Sequence, residues 1–196
     1  SGSACRSLFG GFVEWVRGEK EDGSDSIAKQ VAPSSHWPEL RDVIAIVSEE
    51  RKPVSSREGM RRTVETSKLF KSRMKGHERM LDDVRNAILK KNEQALFKLI
   101  MKESDSMHAV MEDSKPPIVY MNDVSRKIVK EVEKFNSGSM KAGYTFDAGM
   151  NAHVITISKN EAEVKKLLSG ISGVKRIIIS GVGEGPCYSE EHLFKI

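Results

Sequence analysis

Apolar residues recur at helical spacing in several stretches of the chain, and at strand spacing in others. Leu8, Phe9, Phe12, Val13 and Val16 follow a helical period and predict a helix over 3–16, with Ser1 and Ser3 where capping hydroxyls belong. Asp42 to Ser48 is rich in valine and isoleucine and predicts a buried strand. Pro53-Val54-Ser55-Ser56 leads into a predicted helix over 58–70, with Ser55 or Ser56 as its cap. A helix over 77–91 carries Met80, Val84, Ala87 and Ile88 on one face, and a helix over 93–111 carries Leu96, Leu99, Ile100 and Met107. Pro116-Pro117 breaks the pattern, which resumes over 122–135 with Val124, Ile128, Val129 and Val132 inward. Strands are predicted over 142–146 and 153–157, paired around Asp147-Ala148-Gly149. A short helix over 161–168 and a strand over 176–180 close the series. That order implies an α+β fold, with helices packed on one face of a mostly antiparallel sheet.

Composition agrees with a globular domain: 38% of residues are apolar and 31% charged. The apolar run Val43–Val47 is far short of the roughly 20 residues a membrane span needs. The first residues lack a basic segment followed by an apolar one, so no signal peptide is read and a cytoplasmic location is expected. The net charge of +4, from 32 basic and 28 acidic residues, is compatible with an anionic ligand. The basic residues are interspersed with acidic ones and only 6% of residues are aromatic, so neither a nucleic-acid nor a membrane partner is expected. Cys5 and Cys187 make neither a disulfide framework nor a zinc set, and the histidines lie at no ligand spacing, so no protein-bound metal is expected.

The chemistry sits in short segments. Ser1-Gly2-Ser3-Ala4-Cys5-Arg6 joins small residues, hydroxyls and an arginine at an expected helix start, where free N–H groups favour an anion. Ser55-Ser56-Arg57 repeats the arrangement. Both segments also suit ordinary capped helices. Asp147 lies between two strands with small residues beside it, where a carboxylate can face a cleft and act as a base, or simply cap a turn. Gly181 to Pro186 is glycine-rich, but no helix follows it, which argues for a tight loop rather than a dinucleotide site. Asp105 and His108 lie three apart on one helix face, a spacing that a local hydrogen bond explains as well as catalysis does.

Taken together, SGSACRSLFGGFVEW, DSIAKQVAPSSHWPELR, SSREGMRRTVETS, MHA, PPIVYMND, YTFDAG with Asn151-Ala152, and GVGEGP resemble the mevalonate diphosphate decarboxylases of the GHMP kinase superfamily. The resemblance runs in family order over nearly the whole chain. It implies a GHMP-kinase-like C-terminal region, with ATP and Mg2+ as cofactors and mevalonate 5-diphosphate as substrate. The tertiary 3-hydroxyl would be phosphorylated and the phosphate then lost with carbon dioxide, giving isopentenyl diphosphate. By the same resemblance Asp147 orients or deprotonates that hydroxyl and Arg6 holds the substrate carboxylate. Ser1, Ser3 and Ala148 line the substrate site, and Ser56 and Arg57 contact phosphates. The family usually has proline after its Asp-Ala-Gly, where this chain has Met150, and a looser loop behind Asp147 is the expected consequence.

The family's N-terminal half carries an ATP phosphate loop that has no counterpart here, so the chain is expected to need that half. Residues 1–50 are read as the end of an N-terminal GHMP-type domain and 51–196 as the C-terminal one. Homodimers are common in the family. A mevalonate 5-phosphate decarboxylase, a mevalonate 3-kinase and a non-catalytic fragment that binds a phosphorylated ligand stay open at this point. The presence of both Asp147 and Arg6 favours decarboxylation.

Overall fold

The computed structural model describes residues 2–50, 52 and 54–189, with the side chains of residues 2 and 3 excepted. The chain forms two compact units, Ser1–Pro38 with Val182–Ile196, and Glu39–Gly181.

The first unit contains helix α1 (Gly2–Arg6) and strands β1 (Phe12–Trp15) and β2 (Ala28–Ala32), which pair antiparallel. The helix expected over 3–16 therefore ends at Arg6. The reason is the glycine pair that follows. Gly11 has φ +74°, a left-handed conformation that favours glycine. A Cβ on Gly10 would lie 2.5 Å from the backbone nitrogen of Gly185, and Gly11 N–H donates to the Gly183 carbonyl at 2.9 Å. The close approach of the glycine-rich segment to Gly10 and Gly11 turns Phe12 and Val13 out of helical register and into a strand. Between the strands, the Asp25 carboxylate accepts from the backbone of Glu19 at 2.8 Å and closes the loop.

The second unit runs β3 (Leu40–Ile46), α2 (Ser56–Thr66), α3 (Phe70–Lys75), α4 (His77–Leu89), α5 (Glu93–Glu112), α6 (Asp123–Phe135), β4 (Ala142–Phe146), β5 (Ala152–Ile157), α7 (Glu161–Ser169) and β6 (Arg176–Gly181). Its four strands form one antiparallel sheet in the order β4-β5-β3-β6. Tyr144, Val154, Val43 and Ile179 fall in one cross-strand row, and Phe146, Ala152, Ala45 and Ile177 in the next. This face packs on Ile128 and Val132 of α6 and Val164 and Leu168 of α7, all fully buried. Each such side chain contributes about 1.5–3 kcal/mol of burial. The α+β reading with helices against an antiparallel sheet is what the structure has. Because β3 bonds to β5 on one side and β6 on the other, it is an interior strand of this unit, and the compact units divide at Pro38/Glu39 rather than at the expected residue 50.

Helix starts follow the capping logic. Ser55 Oγ accepts from Glu58 N at 3.2 Å, Asn92 Oδ1 from Ala95 N, and Asn122 Oδ1 from Ser125 N. The helix expected over 58–70 stops at Thr66, because Asp113 of the segment after α5 gathers the Ser67 hydroxyl and the backbone N–H groups of Lys68 and Leu69 on one oxygen. That turn starts α3. Helix α5 runs along the free edge of β4. A Cβ on Gly143 would lie 2.8 Å from Phe97 Cα, so only glycine allows this approach.

Candidate active site

Asp147 lies immediately after β4, exposed, at the start of the turn into β5. The turn is fastened along its length. Before it, the Phe146 N–H donates to Ser104 Oγ of α5 at 3.0 Å. Within it, the Ala148 carbonyl accepts from Lys52 Nζ at 2.8 Å, and the Met150 carbonyl accepts from Ser125 Oγ of α6 at 2.7 Å. After it, Asn151 Oδ1 accepts from the backbone of Val47 and Ser48 at 2.8 and 3.0 Å. The looser loop expected from Met150 is thus countered: its carbonyl is bonded to α6, and Asn122 Nδ2 lies 3.4 Å from its sulfur.

The phosphate-type segment lies beside this turn. Lys52 Nζ also donates to Ser56 Oγ at 2.7 Å, so one ammonium joins the first turn of α2 to the loop after Asp147. Tyr120 holds the same helix start, with its hydroxyl 3.2 Å from the Val54 carbonyl, and a Cβ on Gly59 would come within 2.6 Å of that hydroxyl. Beside Lys52 and the turn after Asp147 is a cleft of about 380 Å³, lined by Glu50, Lys52, Tyr120 and Ala148 among others; Asp147, Ser56 and Arg57 are not part of its lining. Arg57 is exposed on the first turn of α2. Ser55 is the cap and Ser56 the first helical residue, which frees the Ser56 hydroxyl to meet Lys52 rather than the helix backbone.

A second layer of titratable groups backs the loop. The Tyr144 hydroxyl meets both oxygens of Asp105 at 3.1 Å. Burial pushes the Tyr144 phenol well up, and burial also raises the Asp105 carboxyl against the opposing Tyr144 hydrogen bond. His108 is buried one turn further along α5, edge-on to the Phe146 ring, and burial lowers its pKa. Asp105 therefore bonds Tyr144, not the helical neighbour His108 that sequence spacing suggested. Of the other candidate residues, Arg6 is the exposed last residue of the five-residue α1, in the first unit. Arg6 stands at the C-terminal end of this short helix rather than at its start. Ser1 and the side chain of Ser3 lie outside the described residues. Lys52, Ser104, Ser125, Asn151, His153 and Asp42 were not singled out from sequence. Only Asn151, inside the Asp147 motif, carried any signal.

The model for the mevalonate 5-diphosphate decarboxylase C-terminal domain matches residues 42–172, and that for the diphosphomevalonate decarboxylase-like N-terminal domain matches residues 1–28. The chain belongs to the mevalonate diphosphate decarboxylase family. The diphosphomevalonate decarboxylase of Bos taurus is 53% identical over 167 residues, 83% of this chain and 42% of that protein. A crystal structure of mevalonate 5-diphosphate decarboxylase superposes with a TM-score of 0.91 at 36% identity, over 100% of this chain and 60% of its own. A further structure, MDDEF in complex with MVAPP, AMPPCP and magnesium, gives a TM-score of 0.85 at 32% identity, over 94% of this chain and 56% of its own. The chain spans about half the length of the curated mevalonate diphosphate decarboxylases it matches. Among the described residues, no cluster of three or more His, Cys, Asp or Glu could hold a metal, and no helix is long and apolar enough to cross a membrane.

Proposed function

We propose that the protein containing this chain decarboxylates mevalonate 5-diphosphate with ATP, giving isopentenyl diphosphate, ADP, phosphate and carbon dioxide. The observation that carries the reading is the Lys52 bridge, which brings a cation and the helix start of Ser56 to the turn that bears Asp147.

In this reading Asp147 accepts a hydrogen bond from the substrate's tertiary hydroxyl and takes its proton as the oxygen attacks the γ-phosphorus of ATP. Lys52, Ser56 and Arg57 hold phosphate oxygens, for which an ammonium, a hydroxyl and a helix N-terminus are suited. Arg6 forks onto the substrate carboxylate, and Ser1, Ser3 and Ala148 are each assigned to substrate binding. Fixed charges then favour departure of the new phosphate, whose C–O bond breaks with its electron pair. The bond to the carboxylate breaks next, its electron pair forms the carbon–carbon double bond, and carbon dioxide leaves. The donor set fits a nucleotide's phosphates better than a protein-held ion, so magnesium would be carried chiefly by phosphate oxygens and water. When bound, it neutralises phosphate charge. A cytoplasmic homodimer belongs to the same reading.

The test is an assay of the full-length protein with ATP, Mg2+ and mevalonate 5-diphosphate, following ADP and carbon dioxide. The expected result is equal amounts of both products with the diphosphate, and far less with mevalonate 5-phosphate. ADP without carbon dioxide would make the protein a kinase, and neither product would overturn the proposal.

A further inference from the structure

Helices α6 and α7 cover one face of the sheet, while His153 and Asp42 lie on the other. His153 Nδ1 is 2.7 Å from Asp42 Oδ2, with side chains 34% and 28% exposed. The pair is diagonal across β5 and β3: His153 stands opposite Ile44, and Asp42 opposite Ile155. On its other side His153 stands opposite Thr145 of β4, two residues before Asp147. Asp42 Oδ1 is buried with no hydrogen-bond donor among the described residues. The imidazole is thus the group that compensates this carboxylate, and it does so most strongly when protonated.

We propose that His153, held by Asp42, is a positioning residue for Asp147: its protonation places a cation beside the carboxylate that faces the substrate hydroxyl. The inference rests on the reading of Asp147 given above. The charged groups that act on the imidazole are Asp42 from β3 and Asp147 from the β4–β5 turn. They raise its pKa, chiefly through the Asp42 hydrogen bond and against the effect of burial. Its cross-strand neighbours Thr145 and Ile44 carry no charge, nor does Ile178 beyond them on β6, and among the described residues α5 along the edge of β4 adds none that acts on it. With His153 charged, the cluster of Asp42, His153 and Asp147 carries one net negative charge. With His153 neutral it carries two, facing a substrate and a nucleotide that are both polyanions. Loss of the proton therefore weakens anion binding and lets Asp147 reorient.

The experiment has two arms on the full-length protein. In the first, kcat/KM for mevalonate 5-diphosphate is measured from pH 6 to 9. It should fall three- to tenfold through the titration of His153. His153→Gln, which keeps a donor for Asp42 but no titration, should lie flat at the lower level. Asp42→Asn should move the fall to lower pH rather than abolish it. Profiles unchanged in both variants would overturn the inference. In the second arm, the His153 titration is read directly by NMR in the parent and in Asp147→Asn, independently of activity. Removing the Asp147 charge should shift it to lower pH, and an unshifted titration overturns the pairing even if no variant of the strand folds well. Absence of decarboxylation in the parent protein would instead sink the function, leaving the NMR arm to decide the pairing.

Discussion

Lys52 places its ammonium 2.8 Å from the carbonyl oxygen of Ala148, the residue after Asp147. The same nitrogen bonds Ser56 at the start of α2, so replacing it loosens two segments at once and removes a cation from the cleft. A hydrogen bond to a charged group contributes about 1.5–3 kcal/mol. Lys52→Met should therefore lower kcat/KM by roughly 10- to 100-fold, with the larger part in KM for ATP. Steady-state kinetics of the full-length variant at fixed magnesium check this. A normal KM for ATP would leave Lys52 as a tether only.

Asp147→Asn keeps the shape of the side chain and removes its charge and basicity. If the carboxylate takes the hydroxyl proton, kcat should fall by at least about 100-fold with a smaller change in KM. Near-normal kcat would return Asp147 to capping its turn. Arg6→Lys should raise KM and lower kcat together, because an ammonium cannot reproduce a two-pronged fork.

The two histidines near the loop should give stability of opposite pH dependence. Burial lowers the folded-state pKa of His108 below the ordinary value near 6.5. The folded protein then binds fewer protons than the unfolded chain, so this stabilisation is full above about pH 6.5 and is lost as pH falls toward the folded-state pKa. The Asp42 hydrogen bond raises the pKa of His153. Its contribution is full below about pH 6.5 and is lost as pH rises through the raised folded-state value. Denaturant midpoints of the full-length protein from pH 5 to 9 should lose their acid slope in His108→Gln and their alkaline slope in His153→Gln. The same slope in both variants would contradict the assignment.

Ser104 is buried, and its hydroxyl accepts the N–H of Phe146, the residue before Asp147. Ser104→Ala leaves that buried N–H without an acceptor, at a cost of about 1–3 kcal/mol. A lower thermal midpoint, together with a modest loss of kcat, is the expected outcome. An unchanged midpoint would mean that the Phe146 N–H finds another acceptor.

Much of this protein was legible along the chain. The 3.6-residue periodicity over 77–135 and the alternation in β4 and β5 depend on neighbours within one element, and those elements form as the pattern implies. The cap at Ser55 and the exposed carboxylate at Asp147 are local for the same reason. Tertiary contacts decided the rest. Phe12 and Val13 fit a helical period but became strand, because the approach of Gly183 and Gly185 to Gly10 and Gly11 outweighs a weak local preference. Helix α2 ended early because Asp113, 46 residues on from Ser67, gathers the donors of the turn. Strand β2 carries exposed lysine and glutamine, leaving no apolar alternation to read, and exists through its pairing with β1. Lys52 meets Ala148 across 96 residues, and His153 meets Asp42 across 111. Periodicity records which face of an element is buried. It holds no record of which charge from another strand will stand opposite, and that is set only when the sheet register closes.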